Sequence, residues 1–175
     1  MAKVVAKFEK VSFEQFKEAC IKTGMVSEDD KYIRLIYNNI KLPKRSTKRS
    51  SGYDFYLPSN HPVILVKGES LTIPTGIRCV FLEDGYDLSI YPRSGMGFKY
   101  RVHLDNCVGI IDNDYAEAKN EGHIMVKLSC DPRQCNEVVI NPGDKFVQGI
   151  IREFFLAEED EINEIRTGGM GSTGV

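Results

Sequence analysis

At 175 residues, with 42% apolar and 27% charged side chains, the chain has the composition of a single globular domain that can bury a core without a disulfide or metal staple. Its net charge of −2 excludes a global pull toward nucleic acid or an anionic membrane surface. The five cysteines (Cys20, Cys79, Cys107, Cys130 and Cys135) are scattered and odd in number, which does not suit a secreted disulfide framework; with no signal peptide or long apolar run, a reducing cytoplasm is the expected compartment.

Residues 3–11 alternate loosely and predict a short strand. Ser12-Phe13-Glu14-Gln15 reads as a capping box opening a helix, with Phe13, Phe16 and Cys20 on one face and Gly24 as its stop. Ser27 is expected to cap a second helix, with Glu28, Asp29 and Asp30 in its first turn and Ile33, Ile36, Tyr37 and Ile40 as its buried stripe. Lys41, Lys44, Arg45, Lys48 and Arg49 follow as a basic loop; without interleaved aromatics it reads as solvated rather than as a nucleic-acid contact.

Beyond residue 50 the pattern changes. Segments 62–66, 70–73, 76–82, 86–91, 106–111, 123–129, 136–140 and 145–155 are short, rich in Val, Ile, Leu, Tyr and Phe, and separated by Gly, Pro, Asn and Asp. They predict a mainly β chain, a sandwich or jelly roll, as one domain over 1–175. Cys130 and Cys135 lack a second pair to make a zinc site.

Five polar, glycine-bearing segments interrupt this pattern: Gly52-Tyr53-Asp54, Pro92-Arg93-Ser94-Gly95, Asn106 to Tyr115, Gly143 to Gly149, and Arg166 to Val175. Arg93 offers a permanent cation with a planar fork of donors, Ser94 a hydroxyl, and Gly95 close backbone approach, a set that suits phosphate or an ordinary turn at a strand end. Asp112 ends an apolar run, Val108 to Ile111, where a carboxylate can be held rigidly toward a water as a general base or can cap the turn at Asn113. The final segment has four glycines in ten residues, together with Arg166, Ser172 and Thr173; alone it suits equally a phosphate clamp and a frayed end.

In order and spacing, these five segments resemble the motifs of the trimeric dUTPase family, over about residues 40–175. The resemblance implies a jelly-roll, β-clip-type barrel and hydrolysis of dUTP to dUMP and pyrophosphate, which keeps uracil out of DNA and supplies dUMP for dTMP synthesis. By that resemblance Asp112 activates the water that attacks the α-phosphorus, with Asp114 in support. The Tyr115 ring stands against the sugar C2′ and rejects ribonucleotides. Asn106, with Gly109, Ile110 and Ile111, forms a hairpin pocket for uracil too tight for the thymine methyl, and Met125 belongs to the same substrate-binding set. Arg93, Ser94, Gly95 and Gln148 contact phosphates. Asp54 orients the site near the metal shell. Mg²⁺ is expected through substrate phosphates and water, with no direct protein ligand. In the tail, Arg166, Ser172 and Thr173 reach the β/γ end, while Met170 and Gly171 cover the base.

The family arrangement further implies a homotrimer with shared sites. One subunit brings Arg93, Ser94 and Gln148, a second the uracil pocket with Asp112, and a third an exchanged C-terminal lid over 166–175. Met170 stands where the family usually has phenylalanine, so uracil stacking is expected to be weaker and Met170→Phe to improve it. Two additions distinguish the chain from short members: the helical pair at 12–38 and Ala116 to Glu121, which read as surface elaboration or as a docking surface for a protein partner. Two other readings share the fold. A dCTP deaminase needs a glutamate where Asp-Asn-Asp-Tyr follows Ile111, and a nucleotide-gated regulatory binder would use the two additions.

Overall fold

The computed structural model describes residues 3–26, 29–131 and 136–160, together with 162, 166 and 168. Ser27, Glu28 and Cys135, and in the tail Met170, Gly171, Ser172 and Thr173, lie outside the described residues.

Strand β1 (Ala6–Lys10) leads into helix α1 (Phe13–Thr23). The Ser12 side chain accepts from the Gln15 amide at 3.2 Å, as the capping box requires, and Gly24 ends the helix in the left-handed conformation. The reciprocal half of the box differs from expectation. The Ser12 amide donates to Glu121 at 2.7 Å, so a carboxylate 109 residues away takes the place foreseen for Gln15. Helix α2 (Asp30–Asn38) starts later than expected: Asp29 is itself the cap, its carboxylate accepting from the amides of Lys31 and Tyr32 at 2.9 and 3.4 Å. Ile33, Ile36 and Ile40 bury the predicted stripe, while Tyr37 is half-buried and donates its hydroxyl to the Val11 carbonyl at 2.7 Å.

The rest is antiparallel sheet. Strands β2 (Lys44–Arg45), β3 (Tyr53–Tyr56), β7 (Tyr86–Pro92), β9 (Gly109–Ile111) and β12 (Lys145–Glu153) form a five-stranded sheet in the order β2-β3-β12-β7-β9. Strands β5 (Ser70–Pro74), β10 (Met125–Cys130) and β8 (Val102–Leu104) form a second, in the order β5-β10-β8. Two ribbons complete the fold: β1 with β6 (Ile77–Phe81), and β4 (Val63–Val66) with β11 (Glu137–Ile140). The core between these layers is apolar, with Phe55, Leu88 and Phe146 from the larger sheet, Ile73 and Leu128 from the smaller, and Phe16 and Ile33 from the helices. The result is mainly β and jelly-roll-like, as the short-strand pattern predicts. No helix among the described residues is long and apolar enough to cross a membrane.

Two local expectations change. The segment at 106–111 is a strand only from Gly109; before it, Cys107 sits at φ 63° in a tight turn closed by its amide on the Leu104 carbonyl at 2.9 Å. The segment after Pro92 is not a plain turn but helix α3 (Ser94–Tyr100) with Arg93 at its cap position; its two glycines concealed it, since glycine is a poor helix former.

Candidate active site

Strand β9 pairs with β7 so that Gly109 faces Ile90 and Ile111 faces Leu88. Gly109 packs closely there: a Cβ would stand 3.3 Å from the Ile90 Cβ, a tight contact. The chain leaves β9 through Asp112 and turns into a 3₁₀ segment, Tyr115–Glu117, with the Tyr115 amide donating to the Asp112 carbonyl at 3.1 Å. Asn113 anchors this turn by donating its side-chain amide to the carbonyls of Glu83 and Tyr86 at 2.9 and 3.2 Å. Asp112 is left half-exposed at the mouth of a cavity of about 480 Å³. Asn106, Gly109, Ile110, Ile111, Tyr115 and Met125, all expected to bind substrate, line the same cavity. Thr72, Asp105 and Lys127 also line it and were not foreseen; they come from β5, the loop after β8 and β10, respectively, and nothing local in the sequence marks them.

Arg166 closes the group. Its guanidinium pairs with Asp112 and, through Nε, with Asp114 at 2.8 Å, and lies 5.6 Å from the centre of the Tyr115 ring. It was expected at the phosphate end of a neighbouring subunit's site; here it rests on its own chain's paired carboxylates, which attract the cation.

The second group lies elsewhere. Arg93, Ser94 and Gln148 line a cavity of about 670 Å³ with Tyr91, Phe98 and Arg101, and this cavity shares no lining residue with the first. Strand β12 sets the placement, since Gln148 stands opposite Tyr91 on one side and Asp54 on the other. The Gln148 amide donates to the Pro92 carbonyl at 3.3 Å. Gly95 lies in α3 with open space where a side chain would be, and does not line the cavity.

Asp54 is buried beneath this group and organises it. Arg93 Nε lies 3.1 Å and Lys145 Nζ 2.8 Å from its carboxylate, and Ser46 donates its hydroxyl at 2.5 Å. Burial pushes the carboxyl up, but the hydrogen bonds of Lys145 and Ser46 and the charge of Arg93 outweigh it and hold Asp54 below the usual range. Lys145 belongs to a segment already singled out for its chemistry, and its register opposite Tyr56 at the end of β3 brings it to Asp54. Among the described residues no cluster of three or more His, Cys, Asp or Glu could hold a metal.

A jelly-roll-like chain with a carboxylate at the mouth of one cavity, and a separate cavity lined by Arg93 and Arg101, has the parts for hydrolysing an anionic substrate. The dUTPase family profile matches residues 38–174, and the chain belongs to that family. It is 41% identical over 138 residues to the deoxyuridine 5′-triphosphate nucleotidohydrolase of Lactococcus lactis, covering 77% of this chain and 89% of that one. The corresponding protein of Methylobacillus flagellatus is 35% identical, covering 76% and 87%. Among solved structures, dUTPase from Streptococcus mutans matches with a TM-score of 0.60 at 27% identity, covering 86% of this chain and 98% of that chain. A dUTPase of phage phi11 of S. aureus, described as coordinating a structural Mg(II) ion, matches in fold with a TM-score of 0.57 at 24% identity, covering 75% and 95%. The family profile begins at the end of α2, so α1 lies outside the matched region.

Proposed function

We propose that the chain hydrolyses dUTP to dUMP and pyrophosphate, and that Asp112 is its general base. The supporting observation is the placement of Asp112: half-exposed at the end of a strand, and lining one cavity with Asn106, Gly109 and Tyr115. A water at this carboxylate gives up a proton to it and attacks the α-phosphorus. The bond between the α-phosphorus and the bridging oxygen breaks, and pyrophosphate leaves. Uracil fits the hairpin pocket against Asn106 and the β9 backbone, and the Tyr115 ring stands against C2′. A methyl that merely lacks a contact shifts binding by only about 1–3 kcal/mol, so rejection of dTTP rests on steric clash in this pocket.

Arg93, Ser94 and Gln148 are the phosphate contacts, and they lie in a separate cavity of the same chain. This arrangement supports a homotrimer in which one subunit's phosphate group completes another's uracil pocket and a third lends its tail. Magnesium is best placed on the substrate, since Asp54 already pairs with Arg93 and Lys145. A hard cation of this kind is commonly carried by nucleotide phosphates and water, where it would neutralise and orient the chain of phosphates.

Pyrophosphate release from dUTP, dCTP, dTTP and UTP, with ammonia followed in parallel, tests the reading. Release of pyrophosphate from dUTP well above the other three is expected. Ammonia from dCTP without pyrophosphate from dUTP would overturn it in favour of a deaminase.

A further inference from the structure

The Tyr115 hydroxyl is held from two sides. It accepts from the Asn120 side-chain amide at 2.9 Å and donates to the His123 carbonyl at 3.3 Å. Tyr115 is only 5% exposed, and burial pushes its hydroxyl pKa up, so the donor stays protonated at neutral pH. Asn120 and His123 belong to one tight loop. The Asn120 side-chain carbonyl accepts from the Gly122 amide at 3.3 Å, and the His123 amide donates to the Asn120 carbonyl at 3.0 Å. At Gly122, φ is 69° and a Cβ would stand 2.8 Å from the Tyr115 carbonyl oxygen, so the loop lies directly on the tyrosine backbone.

The loop is in turn fixed to the helical module ahead of the region matched by the family profile. Glu121 accepts from both the amide and the hydroxyl of Ser12 at the start of α1, at 2.7 and 2.5 Å. His123 is fully buried, accepts from the Gly76 amide at 2.8 Å, and packs 6.2 Å from the Phe16 ring of α1. The segment 116–121, which read from sequence as surface elaboration, therefore reaches a side chain that lines the cavity beside Asp112.

We propose that Asn120 is a positioning residue for sugar discrimination: its amide fixes the Tyr115 hydroxyl and thereby the tilt of the ring, so that the ring cannot yield to a 2′-hydroxyl. The proposal rests on the reading of Tyr115 as the ring that meets C2′. With the shorter of its two hydrogen bonds gone, the hydroxyl keeps one partner at 3.3 Å and the ring gains freedom to move outward. Discrimination then weakens because UTP is accepted better.

The test compares kcat/KM for UTP and dUTP, read by pyrophosphate release, in the wild type, Asn120→Leu, Tyr115→Phe and the double variant, with a melting curve for each. Leucine is close to asparagine in size but can neither donate to the tyrosine hydroxyl nor accept from it. Asn120→Leu should raise the UTP-to-dUTP ratio by about threefold to tenfold, the range of one hydrogen bond. Tyr115→Phe deletes this bond together with the one to the His123 carbonyl and should shift the ratio in the same direction. The double variant should shift it no further than the larger single, since coupled partners are not additive. A wild-type ratio in Asn120→Leu, or fully additive shifts, would overturn the proposal. Tyr115→Ala separates the two levels: if it leaves the ratio unchanged, the reading of Tyr115 falls and the proposal with it, whereas a relaxed ratio there beside an unmoved Asn120→Leu overturns the positioning role alone.

Discussion

Gly52 lies so close beneath Gln148 that a Cβ built on it would stand 2.6 Å from the Gln148 Oε1. The glutamine amide is thus seated on a bare backbone, with its other end donating to the Pro92 carbonyl. Gly52 and Gln148 belong to segments nearly a hundred residues apart, and the β3–β12 pairing brings them together. Gly52→Ala should displace the amide while sparing the core. If Gln148 contacts a phosphate, kcat/KM for dUTP should fall by about tenfold to a hundredfold, the worth of a hydrogen bond to a charged group. Steady-state pyrophosphate release beside a melting curve checks this; full activity in a well-folded variant would remove Gln148 from the phosphate site.

Asp112→Asn tests the base directly. The amide preserves the shape but cannot take a proton, so the rate on dUTP should drop by about 10²–10⁴-fold. The ion pair with Arg166 weakens in the same variant, so binding of dUTP should be measured separately from turnover. Near-normal turnover with normal folding would mean that another group removes the proton.

Stability should depend on pH through His123. The ring is fully buried, and its Nε2 accepts from the Gly76 amide, which leaves the proton on Nδ1, an atom without a partner among the described residues. Burial pushes its pKa down from 6.5 to about 4, with the Glu121 charge opposing only in part. The unfolded chain takes up a proton near pH 6.5 and the folded chain does not. The stability present above pH 6.5 is therefore lost as the pH falls toward 4, by about 3 kcal/mol at most. Urea unfolding across this range checks the slope. His123→Gln should flatten it, and an unchanged slope in that variant would assign the loss to other groups.

Local chemistry was legible in the chain; distant partners were not. Ser12 announces a helix start and Gly24 its end, because a cap and a left-handed stop are decided within four residues. The acceptor for the Ser12 amide is not local, and the carboxylate of Glu121 displaces the glutamine that the motif suggests. Asp112, Tyr115 and Asn106 could be picked out because polar residues interrupt an apolar run, and the fold brings them to one cavity. Asn120, Ser46 and Thr72 could not, since each acts through a contact set by strand pairing or loop packing. Helix α3 was missed for a different reason: Gly95 and Gly97 lower the helix propensity of a seven-residue segment held by its position after β7.

Arg166 carries the last prediction. Its guanidinium spans Asp112 and Asp114, only 16% exposed, beside the Tyr115 ring. The guanidinium occupies the carboxylate oxygen that an attacking water needs, so Arg166 must leave Asp112 before Asp112 can take that water's proton. A triphosphate offers a denser negative charge and competes for the same cation. If Arg166 moves to the phosphates, Arg166→Ala should lower kcat/KM for dUTP by about tenfold to a hundredfold, the loss of charged hydrogen bonds, with the melting temperature nearly unchanged. Deleting residues 166–175 should have at least as large an effect on turnover and leave the fold intact. A rise in turnover for Arg166→Ala would give the opposite role, a cation that restrains the base. Measuring both variants against dUTP concentration separates these outcomes, because a phosphate contact appears mainly in KM and a restrained base in kcat.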